Sequence, residues 1–310
     1  MATNASTAST LRPKSIVSIL KSRTVFPYVF ILPFVLSFLI FFLYPMISTF
    51  QMSLQSIKGF DTVKFIGLKN YQNLFNRQFF NALSVTARYT FWTILILIPT
   101  PLVLASVISS PTVRGGNFYK SALFMPALTS VVMAGLFFKF AFAEQETALI
   151  NSILVFFGAE PYRFLYTKTG AMIVMVLFCS WKWMGVNLIY YLSALKSIPA
   201  EIYESAEIDG ANKVQQFFNI TVPSVKPTII YVLTISVYGG FSMFAESFTL
   251  FNGARSPGDI GTTLVGYIYN QGINQNNFGL ASAAGLVLLA LVMVVNVIQL
   301  ALTGSFKKEV

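Results

Sequence analysis

The chain has 310 residues, 55% of them hydrophobic and only 10% charged, with 21 Lys and Arg against 11 Asp and Glu. A soluble domain of this size carries roughly a quarter charged residues, so most of the surface does not meet water. The lone cysteine, Cys179, excludes an intrachain disulfide, and with no histidine a transition-metal site is not expected.

The first 26 residues, polar and basic, read as a cytoplasmic tail. The apolar run behind them is too long for a signal-peptide core and lacks a small-residue cleavage pattern. Uncharged runs recur at 26–50, 89–113 and 260–306. A spanning helix needs about 20 predominantly apolar residues. Six such spans fit: Pro27–Phe50, Ser84–Ile108, Ser121–Ala143, Gly170–Leu195, Thr228–Leu250 and Leu280–Leu302. They predict an all-α polytopic membrane protein, with a transmembrane region at 27–304 and a short cytoplasmic tail at 305–310. Pro33, Pro45, Pro99, Pro101 and Pro126 lie inside or at the ends of these runs, where neighbouring groups can satisfy the freed carbonyls. Of the basic residues, 11 fall on the side of the N-terminus and 7 on the other, which favours an N-terminus inside. The charge of +10 is therefore explained at span ends, next to lipid, with no nucleic acid. Arg88 and Lys139 fit span ends where basic chains snorkel, and Trp92 fits an aromatic belt.

Three segments then lie outside. In the first, 51–83, Phe65, Leu68, Tyr71, Leu74 and Phe75 recur at helical spacing and predict an amphipathic helix along the membrane surface. The others are 144–169 and 252–279. No internal repeat and no pattern of broken spans is evident.

The stretch "EIYESAEIDGANKVQQFFNITVPSVKP" interrupts the apolar runs. Pro199 suits a helix start. Ala200 to Ile208 reads as a short helix, Asp209-Gly210 as a turn that uses glycine's positive φ, and Ala211 to Ile220 as a second helix presenting Val214, Phe217 and Phe218. Pro223 and Pro227 close the segment. A hairpin this small cannot bury both faces, so it caps its own bundle, lies on the membrane or docks on a partner.

Its residues resemble the EAA loop of binding-protein-dependent ABC importer permeases. Glu204, Ala206, Asp209, Gly210, Ala211, Phe217, Ile220, Pro223 and Pro227 match that pattern, with Ser205 in place of the central alanine. Outside the hairpin, "PYVFILPFVLSFLIFFLYPM", "FIGLKNYQNLF", "SALFMPALTS", "YYLSALKSIP" and "LTGSFKKE" are similar to first-subunit sugar permeases, including those of Gram-positive oligosaccharide and arabino-oligosaccharide systems. The resemblance implies a type I ABC importer permease fold with six transmembrane helices and a cytoplasmic coupling hairpin, 199–227. It implies that the hairpin sits in a groove of an ATPase through Glu201, Glu204, Ala206, Asp209, Gly210, Ala211, Phe217 and Phe218. The partners it implies are a second homologous permease, two cytoplasmic ATPase subunits, an extracellular solute-binding protein and a sugar, in a bacterial cell membrane.

No G-x-x-x-x-G-K-[ST] occurs; "GGNFYKS" at Gly115–Ser121 lacks the Gly-Lys pair. The chain is thus expected to bind no cofactor and to be no enzyme, with ATP and Mg2+ held by the partner. A sugar path needs hydrogen-bonding groups and an aromatic face. Glu246, Phe244, Ser242 and Tyr238 on span five, with Asn187 and Trp183 on span four, supply both. Each also suits a structural role in a bundle, as does Lys182. The competing function is an ion-coupled secondary sugar transporter using Glu246 or Lys182; a scaffold without transport is a third.

Overall fold

The computed structural model describes residues 26–57, 63–110 and 113–304. Apart from Phe26, the expected tails at 1–26 and 305–310 lie outside them. Contacts divide the chain into two units, Met1–Gln51 and Met52–Val310.

Most of helix α1, Phe26–Ser53, belongs to the first unit. Its regular bonding widens into a π-turn at Leu39–Leu43, where Tyr44 N donates to Leu39 O. The cause is Pro45, whose ring crowds the carbonyl four residues back and which has no N–H to give it.

The second unit begins with strands β1 (Gln55–Ser56) and β2 (Lys64–Phe65), paired antiparallel with Gln55 opposite Phe65, and then helix α2, Lys69–Leu74. The single amphipathic helix expected across Phe65–Phe75 is therefore not what forms. Phe65 is in β2, Gly67 turns the chain at φ +58°, and only α2 is helical. Tertiary bonds override the periodicity here. Asn70 Nδ2 donates to Ser53 O and Gln55 O, both at 2.8 Å, and Leu74 is fully buried. The segment is built into the bundle, although Phe65 and Leu68 stay exposed.

Span two starts at Arg77 rather than Ser84. Asn76 caps it by accepting from Phe79 N at 3.0 Å, and α3 (Arg77–Leu97) continues through α4 (Pro99–Ser109). Span three is broken: α5 (Gly116–Leu128) and α6 (Val131–Ala141) meet at 95°. The buried Lys182 makes the break tolerable, donating from Nζ to Thr129 O at 2.7 Å. After α7 (Leu149–Phe156) comes α8 (Lys168–Leu195), the central helix, capped by Thr167. It packs against α5 at Gly185, where a Cβ would stand 2.1 Å from Leu123 O; only glycine permits that approach. Helices α9 (Ala200–Ile208) and α10 (Lys213–Ser224) come next, and α10 meets α11 (Lys226–Phe241) at 69°.

Span five also breaks, between α11 and α12 (Ala245–Phe251). Here Thr263 Oγ1 donates to Met243 O at 2.9 Å and Ser247 Oγ to Gly261 O at 2.8 Å. Helix α13 (Leu264–Tyr269) and the 25-residue α14 (Phe278–Leu302) complete the chain. Among the described residues, four continuous helices are long and apolar enough to cross a membrane, or six if each bent pair is one span. The expectation of unbroken spans is thus corrected. Sequence concealed the breaks because the groups that satisfy the opened carbonyls come from elsewhere in the chain.

Three buried clusters hold the second unit. Tyr89, Phe138, Val174 and Phe178 join α3, α6 and α8. Leu74, Phe79, Val237, Leu264 and Leu280 join α2, α3, α11, α13 and α14. Leu102, Leu188, Tyr191, Val225 and Val232 join α4, α8 and α11.

Candidate functional site

The hairpin forms as a helix–turn–helix, with α9 bounded as its sequence suggests. Its turn has a definite chemistry. Gly210 N donates to Glu207 O at 3.0 Å and Ala211 N to Ala206 O at 2.8 Å, with Gly210 at φ +80°. This pair of bonds is a Schellman motif, and it explains Asp209-Gly210-Ala211: a glycine for the left-handed residue, flanked by Ala206 and Ala211, small enough to meet across the turn. Asn212 then opens α10 with a capping box, accepting from Gln215 N while Gln215 Oε1 accepts from Asn212 N. Tyr203 OH and Thr221 Oγ1 share a 2.9 Å hydrogen bond that clips the two helices together.

Helix α10 starts at Lys213 rather than Ala211 and runs on to Ser224. It contains a π-turn at Phe217–Thr221, in which Val222 N reaches Phe217 O. Pro223 has the same relation to this turn as Pro45 to the one in α1. The turn sends Phe217 inward, against the cluster formed by α4, α8 and α11, while Phe218 is left exposed. The hairpin is thereby rooted in the bundle at Phe217 and free at its tip.

At that tip Ile208 is 87% exposed, and Val214 and, farther along α10, Phe218 are also bare. Asp209 and Gly210 are exposed at the turn and Glu201 and Glu204 along α9, while Ala206 and Ala211 are half-buried. Lys213 pairs with Glu207 and holds that carboxyl below its usual range, through the hydrogen bond first and the charge second. Among the described residues no ion pair engages Glu201, Glu204 or Asp209. Four of the chain's 11 acidic residues thus fall within 201–209, and three remain available. Sequence reasoning passed over Ile208; its place just before Asp-Gly, on no buried face, was the available signal.

The candidate path residues divide. Tyr238 and Ser242 are exposed at the end of α11, beside Gly239, whose Cβ position is open space. Phe244 and Glu246 lie just beyond, across the break. Glu246 is in the first turn of α12, where the unpaired N–H groups favour a carboxylate, and it lies within electrostatic reach of Tyr89 and Cys179. Phe244 packs with Phe248 and Tyr269 at 5.2 Å each, and those two are 5.7 Å apart. This three-ring cluster between α12 and α13 was not foreseen, because Tyr269 is 25 residues away in sequence.

Asn187 and Trp183 lie on α8. Asn187 is 5% exposed, and its Nδ2 donates to Leu97 O at 2.9 Å. That carbonyl has lost its helical donor because the residue four positions on is Pro101. Trp183 is 43% exposed, with Lys182 Nζ 5.9 Å from its ring centroid. Lys182 bonds to carbonyls at the α5–α6 break rather than to a carboxylate.

A family model described as the binding-protein-dependent transport system inner membrane component matches residues 19–308. The chain is 51% identical over 288 residues to the arabinooligosaccharides transport system permease protein AraP of Bacillus subtilis (strain 168), covering 93% of this chain and 91% of that one. It is 46% identical over 287 residues to AraP of Halalkalibacterium halodurans, with coverage of 93% and 90%. A solved bacterial alginate ABC transporter, in complex with an alginate pentasaccharide-bound periplasmic protein, superposes with a TM-score of 0.82 at 25% identity. That match covers 94% of this chain and 98% of that chain.

Proposed function

From the premise that the chain belongs to the family of binding-protein-dependent transport-system inner membrane components, we propose that it is one transmembrane subunit of an ATP-driven importer of oligosaccharides, arabino-oligosaccharides foremost. It crosses the membrane six times, with the bent pair α5–α6 as span three and the broken α11–α12 as span five, and with both termini and the hairpin, α10 included, in the cytoplasm. A second homologous permease completes the pathway, two ATPase subunits hold ATP and Mg2+, and a solute-binding protein delivers the sugar from outside.

The observation that carries this reading is the hairpin. It is rigid at its turn, anchored at Phe217, and bare at Ile208, Val214 and Phe218, with Glu201, Glu204 and Asp209 around them. Such a tip fits a partner groove with an apolar floor and a basic rim. A lever rooted in the cluster of α4, α8 and α11 transmits ATPase closure into the spans. The sugar meets the broken span five, with Glu246, Ser242 and Tyr238 bonding hydroxyls and Phe244 offering a ring face; Trp183 adds a second aromatic face, and Asn187 keeps α3–α4 in place behind them. The arabino-oligosaccharide reading is supported by the 51% identity to AraP.

An ion-coupled transporter is not favoured, since such a carrier has no use for a docking hairpin. The broken spans by themselves do not decide between the two. A gentle-detergent pull-down of the tagged chain from native membranes tests the proposal. It should recover a second permease and an ATPase in stoichiometric amount, and recovery of the chain alone would refute it.

A further inference from the structure

At the end of α8 opposite the hairpin, residues 144–166 carry α7. Asn151, 0% exposed, fastens this segment. Its Nδ2 donates to Ala143 O at 3.0 Å and Tyr162 O at 3.2 Å, and its Oδ1 accepts from Tyr162 N at 3.0 Å. Glu144 and Arg163 add an ion pair at the same base, at 3.5 Å. Ala143 lies two residues beyond α6, so α7 is held within hydrogen-bonding reach of the end of span three.

From that base the segment turns apolar side chains outward: Phe156 is 83% exposed, Phe157 79%, Leu149 52% and Ile153 47%. Gly158, at φ +80°, then reverses the chain. The depth of this surface is set by α8. Its 28 residues extend about 42 Å, some 12 Å more than the roughly 30 Å hydrocarbon core, enough for its Lys168 end to reach the lipid headgroups. Tyr162 and Tyr166, both exposed, flank Arg163 and precede Lys168, the pairing of aromatic and basic chains that marks a membrane interface. On α6, to whose end this segment is fastened, Met133, Phe137 and Phe140 are exposed as well.

We infer that α7 is an interfacial anchor, lying along the bilayer surface with Phe156 and Phe157 at the boundary of headgroups and acyl chains, and that its partner is lipid. Buried Asn151 makes the anchor rigid, so the α6–α7–α8 junction is held at a fixed height while the spans move.

The test uses the whole importer in nanodiscs of phosphatidylcholine brominated on its acyl chains. Emission from Phe156→Trp is measured above that of the unsubstituted protein, with Glu160→Trp, an exposed charged position in the same loop, as control. Bromolipid should quench Phe156→Trp several-fold more than Glu160→Trp, and aqueous iodide should quench it several-fold less. Iodide quenching equal to the control without bromolipid quenching would overturn the inference. Protection from both quenchers would overturn it equally, because it would place a protein partner over α7. Phe157→Trp gives the same reading if Phe156→Trp fails to assemble.

Discussion

Asn187 offers a quantitative test of how the bent spans are held. A regular helix would give Leu97 O a donor from residue 101, but Pro101 has none. Asn187 Nδ2 supplies it from α8 at 2.9 Å, in a site where the side chain is 5% exposed. Asn187→Leu keeps the approximate volume and strands the carbonyl. A buried unsatisfied group costs about 1–3 kcal/mol, and hydrogen bonds between membrane helices average about 0.6 kcal/mol with a maximum near 1.7. The expected loss is therefore about 1–1.7 kcal/mol. Pro101→Ala restores an N–H four residues after Leu97, so in the Asn187→Leu background it should regain most of that loss. Unfolding of the four species in detergent, followed by circular dichroism, gives the coupling energy, expected at about 0.6–1.7 kcal/mol. Additivity within about 0.3–0.5 kcal/mol would refute the assignment of Asn187 to the Leu97 carbonyl.

Gly210→Val meets no steric neighbour but forces a β-branched residue to φ +80°, a strain of about 1–2 kcal/mol. The protein should reach the membrane in normal amount, by immunoblot, while uptake is lost; normal uptake would sink the lever reading. Glu246→Gln should raise the apparent KM for sugar uptake about tenfold, since hydrogen bonds to charged groups are worth about 1.5–3 kcal/mol; unchanged kinetics at equal expression would remove Glu246 from the path. In the loop before α13, Arg255 forks onto Asp259 at 2.7 and 2.8 Å and, through those hydrogen bonds above all, holds its carboxyl below the usual range. A depressed carboxyl stabilises above its free pKa, and that stabilisation is lost as pH falls through the folded value. Acidification should therefore loosen this loop in the parent, whereas in Arg255→Ala the loop should already be looser at neutral pH and change less with acid, as read by hydrogen exchange; identical profiles would count against the pair.

The hairpin was legible in the sequence because its determinants are local. Gly210 takes the left-handed position that sets the turn and the end of α9, whereas the Asn212–Gln215 capping box, which starts α10 at Lys213, and the π-turn at Phe217–Thr221 went unread. The spans were legible in composition but not in form. Span three bends where Lys182, more than 50 residues downstream, meets Ala127 and Thr129, and span five breaks where Thr263 reaches back to Met243. Neither contact leaves a periodic trace, although Pro126 marks the neighbourhood of the first. At Phe65–Phe75 the period overstated the helix, since β2 and the turn at Gly67 precede α2 and Asn70 ties it to the carbonyls of Ser53 and Gln55. In the path, Glu246 stood out by its charge, whereas Tyr269 joined Phe244 only through the fold.

The central claim is that this chain moves sugar by a partner's ATP hydrolysis acting through the hairpin. Reconstitution of the purified importer into proteoliposomes tests it, with ATP inside and labelled arabino-oligosaccharide and its binding protein outside. Uptake should require both ATP and the binding protein, and it should survive ionophores that collapse ion gradients. Uptake without ATP that disappears with the gradient would contradict the account and make Glu246 an ion-coupling carboxylate.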